Sequence, residues 1–422
     1  MKGRKAKVKP LPSERQLGTA ATPEPHKWEF KARFRRNVFG WRSQPAIKRV
    51  KQAVVEIKKV ARADPVLAAE GAVSFLERVS PALEHVDSSS GAIGIAVNNA
   101  IAELVAVIAR APADAKTRDA WLHRLWEAHA EDAIPYIETL SDYWGELCAS
   151  KEVASEWADQ LIDITRMSFS PDRNLRGHFR GTTACLSALY YAQRYQEIVD
   201  LVRSDTIWPY KIWVVKALAA SGRKSEAIEY AESSRGRSAP DERVDAICEE
   251  ILLSSGLAQE AYTRYGLTAN RGGTYLAIFR AVAKRYPDKP APQVLADLVR
   301  TTPGEEGKWF AAAKEAGLFE EALALASQSP CDPRTLTRAA RDLAEKQPAF
   351  AVGAGLLAIH WLVQGYGYEV TGADVWAAYS STVEAAQRLG SANEARERIR
   401  TIVGAERTGG FIAKILGTEL GV

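Results

Sequence analysis

Cysteine is scarce and scattered: Cys148, Cys185, Cys248 and Cys331 lie far apart, with no Cys-x-x-Cys pair. That spacing excludes a zinc knuckle and a thioredoxin-type motif, and the four read as small buried apolar residues of a reducing compartment. The hairpin dipeptides Asn-Gly and Asp-Gly are absent, which counts against sheets. No run approaches the roughly 18 consecutive apolar residues of a membrane span. No apolar stretch follows the basic start at Lys7-Val8-Lys9-Pro10-Leu11-Pro12, so a secretory leader is not expected and cytoplasmic residence is. The signatures His-Glu-x-x-His, Gly-x-Ser-x-Gly and Gly-x-x-x-x-Gly-Lys-Ser/Thr are also missing. Gly304-Glu305-Glu306-Gly307-Lys308 lacks the spacing and hydroxyl residue of a phosphate loop, and reads as the cap of a helix carrying Trp309 and Phe310. No catalytic residue, cofactor or metal is therefore expected.

What is present is helical in character. The 422 residues are 46% apolar, 26% charged and 9% aromatic, with 29 Gly and 19 Pro, an ordinary globular composition. Roughly one residue in six is Ala, which favours helices. The expected class is all-α. The length exceeds the roughly 250–300 residues at which one core stops growing, so several units or a repeat array are needed.

A formal net charge of +4 hides a strong asymmetry. Residues 1–62 hold 18 Lys/Arg against 4 Asp/Glu, a net of +14, while the remaining 360 residues carry −10. A basic arm on an acidic body points either to an electrostatic partner or to an arm folded back on its own chain.

Along the chain, residues 1–26 contain Pro10, Pro12, Pro23 and Pro25 and no periodic apolar face, which describes a disordered basic tail. Residues 27–45 form a basic and aromatic arm. From Ala46, Ile47, Val50, Val54, Ile57 and Ala61 recur at helical spacing, with Lys48, Arg49, Lys51, Lys58 and Lys59 mostly on the other side. Asp64-Pro65 caps a helix from Leu67 to Val79, and Ser80-Pro81 starts or kinks the next. Helices over Ile93–Ile108 and Thr117–Ala130 follow, in a helical region spanning 46–175.

The strongest internal signal is a recurring frame. Ser221-Gly222-Arg223-Lys224-Ser225-Glu226-Ala227 ends one helix at glycine and opens the next with Glu-Ala. It recurs at Gly256 to Glu260-Ala261, at Gly317 to Glu321-Ala322 and at Gly390 to Glu394-Ala395, with a degenerate copy at Gln193 to Glu197-Ile198. Glu197, Glu226, Glu260, Glu321 and Glu394 are separated by 29, 34, 61 and 73 residues, two single and two double periods. A left-handed glycine lets the chain leave a helix, the Glu four residues later complements the next helix dipole, and the small alanine permits close packing. In this frame the chain resembles the tetratricopeptide-like superfamily of helix–turn–helix repeats over about 180–400, while residues 46–170 look more like HEAT-type helix pairs. The resemblance implies an α-solenoid of antiparallel helix pairs in a right-handed superhelix, with repeats over 176–405 and a C-terminal cap or tail over 406–422. It also implies a non-enzymatic interaction scaffold for a protein or peptide partner.

The best functional candidate is the arm, where Trp28, Phe30, Phe34, Phe39 and Trp41 alternate with Lys27, Lys31, Arg33, Arg35, Arg36 and Arg42. Cations neutralise phosphates and rings stack on unpaired bases, so nucleic acid is one possible partner; the same rings can instead dock the arm on the first helix pair. Lys48 and Arg49 extend the basic set. Arg176 and Arg180, among glycines in Asn174 to Gly181, form a second candidate anion site or a simple loop. Asp119, His123 and Glu127 share a helix face that could hold a metal, as in an enzyme or metal protein built on a solenoid scaffold, or form a solvated polar stripe; a third ligand element is missing. Tyr366-Gly367-Tyr368 beside Trp361 either rims a peptide site or packs between helices.

Overall fold

The computed structural model describes residues 26–170, 172, 177–203, 205, 207–236, 239–406 and 410–421. Residues 1–25 of the expected tail over 1–26 and the candidate Arg176 lie outside them. The described residues contain 22 α-helices and no strand, with one isolated bridge between Gly236 and Ala239. The chain divides into two compact units, Met1–Ile198 and Val199–Val422.

The first unit starts with a short helix α1 (Glu29–Arg33) and continues through α2 (Ser43–Val60), α3 (Pro65–Leu83), α4 (Ala92–Arg110) and α5 (Ala115–Ala130). A 3₁₀ turn at Glu138–Tyr143 leads into α6 (Trp144–Cys148), α7 (Lys151–Ser168), α8 (Thr182–Tyr191) and α9 (Tyr195–Val202), the last of which crosses the division. Asp64, Asp114 and Ser150 start α3, α5 and α7 by accepting a hydrogen bond from the amide three residues on, which satisfies one of the donors a helix leaves open at its N-terminus. Pro81 lies inside α3 and does not begin a new helix. α4 packs on α2, α3 and α6. By length and composition alone α4 could cross a membrane, but Ile93, Val97, Ile101, Leu104 and Ile108 are fully buried against neighbouring helices, as in a core helix.

The second unit runs α10 (Trp208–Ala220), α11 (Lys224–Ser233), α12 (Asp241–Leu253), α13 (Ala258–Ala261), α14 (Tyr275–Arg285), α15 (Ala291–Arg300), α16 (Phe310–Glu315) and α17 (Phe319–Gln328). It ends with α18 (Pro333–Leu343), α19 (Pro348–Val363), α20 (Gly372–Arg388), α21 (Ala392–Gly404) and α22 (Phe411–Leu420). Sequential helices pack as neighbours: α10 on α11, α18 on α19, α19 on α20 and α20 on α21.

The recurring frame has one geometry wherever it occurs. Gly222, Gly256, Gly317 and Gly390 have φ of 85°, 75°, 76° and 72°. The amide after each glycine donates back to a carbonyl five residues earlier: Arg223 to Leu218, Leu257 to Leu252, Leu318 to Ala313 and Ser391 to Ala386, at 2.9 to 3.0 Å. This is the Schellman closure of a helix C-terminus. The following Glu sits in the first turn of the next helix, and Ala227, Ala261, Ala322 and Ala395 are buried at the contact. In the degenerate copy Gln193 takes the left-handed turn at φ 63°, with the Arg194 amide donating to Leu189 at 2.9 Å. A sixth closure, unmarked by Glu-Ala, lies at Gly365, φ 81°, where Tyr366 donates to Trp361 at 2.9 Å.

Candidate interaction surface

The arm settles on the first helix pair through its rings. Trp28, Phe30 and Phe34 are buried; Phe75 of α3 meets Phe30 and Phe34 edge-on, with centroids 5.7 and 5.0 Å apart. Trp28 lies over Gly71, where an added Cβ would come within 2.3 Å of the indole. Only glycine leaves that space. Trp28 offers no side-chain cap to α1, and the Glu56 carboxylate of α2 replaces one, accepting from the amides of Glu29 at 2.7 Å and Phe30 at 3.2 Å. Backbone bonds from Asn37 to the Pro81 carbonyl and from Asp87 to the Trp41 carbonyl, 3.1 and 2.8 Å, fix the rest of the arm. Phe39 is half-buried and packs on Phe34 at 5.4 Å. Trp41 alone of the five rings is largely open, at 72% exposure.

With the rings inward, the cations face out. Lys27, Lys31, Arg35, Arg36, Arg42 and Lys48 are exposed. Arg33 pairs with Glu29 at 2.8 Å, Arg36 stands 3.6 Å from Glu84, and Arg49 donates to Gln52 at 2.9 Å. Beyond the arm, Lys51, Lys58 and Lys59 of α2, with Arg62 just past its end, form one wall of a solvent-open groove of about 690 Å³ between α2 and α4. Val50, Val54, Ala96 and Ala100 make its floor, and Glu103 on the far wall accepts from Lys58 at 2.6 Å. The groove depends on α2 and α4 lying side by side although α3 separates them in the chain. No local pattern announces that adjacency.

The remaining candidates are otherwise engaged. Arg180 donates to the carbonyls of Asp132 at 2.7 Å and Ala130 at 3.3 Å, closing the end of α5. Beside it, burial holds the His129 imidazole below its usual range; Asp132 opposes the shift and Arg180 adds to it. His123 stands 3.9 Å from Asp119 on an exposed face, and among the described residues no group of three His, Cys, Asp or Glu could hold a metal. All four cysteines are free and buried, with burial pushing the Cys148 and Cys331 thiols up to about 12 and those of Cys185 and Cys248 to about 11, so they are poor nucleophiles. Glu305 and Lys308 pair at 2.5 Å just ahead of Trp309 and Phe310.

Two buried or clamped arginines carry no local sequence signal. Arg118 closes the end of α4 by donating to the Ile108 and Ala111 carbonyls, both at 2.7 Å, and its burial lowers its pKa. Arg124 of α5 is gripped by Glu77 and Glu70 of α3 at 2.7 and 2.8 Å, and those carboxylates raise its pKa.

In the second unit, Tyr366 packs edge-on against Trp361 at 5.2 Å, while Tyr368 is 79% exposed. Tyr368 rims a pocket of about 450 Å³ with Arg334, Arg338 and Arg341 of α18. Asp374 of α20 holds Arg334 through two bonds of 2.8 and 2.9 Å, and that guanidinium keeps the carboxyl well below the usual range.

No protein-family model matches the chain, and no curated protein matches it. Among solved structures, the chain is similar to a crystal structure of the APC/C hetero-tetramer Cut9–Hcn1, at 11% identity over 87% of this chain and 86% of that one, with a TM-score of 0.22. The helix–turn–helix character of the chain lies in the six Schellman closures and the sequential helix packing among the described residues.

Proposed function

We propose that this protein is a non-enzymatic helical-repeat scaffold that binds a protein or peptide partner through the cationic face of its first unit. The observation that carries the reading is the docked arm: Trp28, Phe30 and Phe34 are buried against the first helices, which leaves the arm's cations exposed on a unit whose α2 also presents exposed lysines, on a chain that is otherwise net acidic. Such a surface steers an acidic partner and fixes its orientation. Free, buried thiols suit a reducing compartment.

Affinity purification of the tagged full chain, with and without nuclease, tests the reading by mass spectrometry. Partners that survive nuclease and are lost in the Lys31→Glu/Arg35→Glu variant support it; recovery of nucleic acid alone rejects it. The exposed Trp41 favours a second reading, in which one open ring and its neighbouring cations contact single-stranded nucleic acid. That reading requires nuclease-sensitive recovery, a steep loss of affinity with salt and loss on Trp41→Ala.

A further inference from the structure

We infer that the groove between α2 and α4 is the docking site of an acidic amphipathic helix from a partner protein. The inference rests on the scaffold reading and adds to it the site and the chemistry of the partner.

The shape argues for a helix. On the groove side α4 presents Ala96, Asn99, Ala100 and Glu103, and at its start Gly94 adds no side chain, since a Cβ there would meet nothing within 4 Å. Small side chains let a cylinder about 10 Å across approach closely, seated between two helices as a third. Val55 of α2 is 67% exposed at the groove's edge. Val55 thus continues the aliphatic strip of Val50, Val54, Ala96 and Ala100 along the α2 side of the groove.

The charge argues for an acidic occupant. The lining holds Lys51, Lys58, Lys59 and Arg62 against the single carboxylate of Glu103, a net of +3. Only Lys58 is matched to Glu103; Lys51, Lys59 and Arg62 have no carboxylate partner among the described residues. A helix with a Leu/Ile stripe flanked by Glu or Asp would bury the strip and neutralise the wall together. The chain's own first 25 residues carry the wrong sign, six Lys/Arg against two Asp/Glu. Nucleic acid fits poorly because the floor is aliphatic and offers no ring for a base to stack on.

Fluorescence anisotropy with the full-length protein tests the assignment. The probe is a labelled peptide about five turns long, with leucines at i, i+4 and i+7 and glutamates beside them; a scrambled peptide of the same composition, a single-stranded oligonucleotide and phosphatidylserine vesicles are the competitors. The amphipathic peptide is expected to bind at least about tenfold more tightly than the scrambled one, and Val55→Glu to remove about a tenfold share of that affinity by placing a carboxylate on the apolar strip. Lys51→Glu/Lys59→Glu should weaken binding and flatten its salt dependence, while charge reversal of the exposed Lys346 in the second unit, Lys346→Glu, should not. Both groove variants alter exposed side chains, and an unchanged circular dichroism spectrum establishes that they fold. Equal binding of the scrambled peptide, preferential binding of the oligonucleotide or vesicles, or indifference to Val55→Glu overturns the groove assignment. The scaffold reading is separate: a nuclease-resistant partner whose capture ignores Val55→Glu leaves it standing while the groove falls, and the absence of any such partner removes the scaffold reading.

Discussion

The two units join their helices in different ways. In the first, helices begin on polar side chains, Asp64, Asp114 and Ser150, and are fastened by contacts between residues far apart in sequence: Trp28 on Gly71, Glu56 on α1, and Arg124 between Glu70 and Glu77. In the second, polar caps at Thr274, Asp332 and Thr371 are joined by a local device used at four junctions, a left-handed glycine followed within a few residues by a first-turn Glu and a buried Ala. Long-range fastening yields an individual surface, and the cationic face belongs to that unit. Local fastening yields regular repetition, which makes the second unit easier to recognise from its sequence than to assign to a partner.

The largest effect that would sharpen this contrast is expected at Gly71. Gly71→Leu puts a side chain where the Trp28 ring lies, 2.3 Å from the position of its Cβ, so the ring must leave its site. The loss of one buried indole should cost about 3 kcal/mol, read as a lower urea midpoint together with red-shifted tryptophan emission and proteolysis of the arm. If the emission and cleavage pattern do not change, the arm is not held by that contact.

The junction glycines should matter less, and in a graded way. Gly317→Ala forces a Cβ into φ 76° and should cost about 1 kcal/mol. Gln193→Gly should have the opposite sign, since it relieves a non-glycine residue at φ 63°; a gain of about 0.5 kcal/mol is expected after the entropic cost of glycine. Urea titration of both variants measures this, and a Gln193→Gly protein less stable than the parent would break the proposed equivalence of the five frames.

A smaller effect separates the units by pH. The His129 imidazole is buried and its pKa is lowered in the fold, so its neutral form stabilises the first unit at pH values above the unfolded value of about 6.5, and that contribution is lost as pH falls toward the folded value. The His129→Phe protein should show a flatter decline in stability than the parent as pH falls below about 6.5. An identical slope in the two proteins would place the acid sensitivity elsewhere.

The last test changes no stability at all. Cys148 and Cys185 report on the first unit, Cys248 and Cys331 on the second. With burial holding all four thiols protonated, none should react with a thiol reagent at pH 8 in the native protein. Increasing urea should release them as pairs if the units unfold separately, and peptide mapping identifies which pair comes first.

The frames were readable because each closes within a few residues: Gly222 with Glu226 and Gly390 with Glu394 state the helix end, the turn and the next start in one short string. The closure at Gly365 was not readable because no Glu-Ala follows it, and in the degenerate copy Gln193 occupies the position glycine holds elsewhere. A widened π turn at Tyr262–Gly266 also escaped. It forms where Gly266 makes room for the Tyr286 hydroxyl, which donates to the buried Glu249 at 2.6 Å. In the candidate surface, the alternation of rings and cations was legible at the outset. The direction in which the rings point was not, because it depends on a glycine in α3. The groove was invisible for the same reason, since it requires knowing that α2 and α4 are neighbours.

The seat of Trp28 on Gly71 also has a consequence for synthesis. The arm is made first, yet the residue that receives its indole is translated 43 positions later, and Phe75 later still. At the roughly 5–20 residues per second of translation, the arm's three inward rings wait several seconds with nothing to cover them. During that interval the surrounding lysines and arginines keep a nascent hydrophobic segment in solution, a role distinct from any they have once the arm is docked.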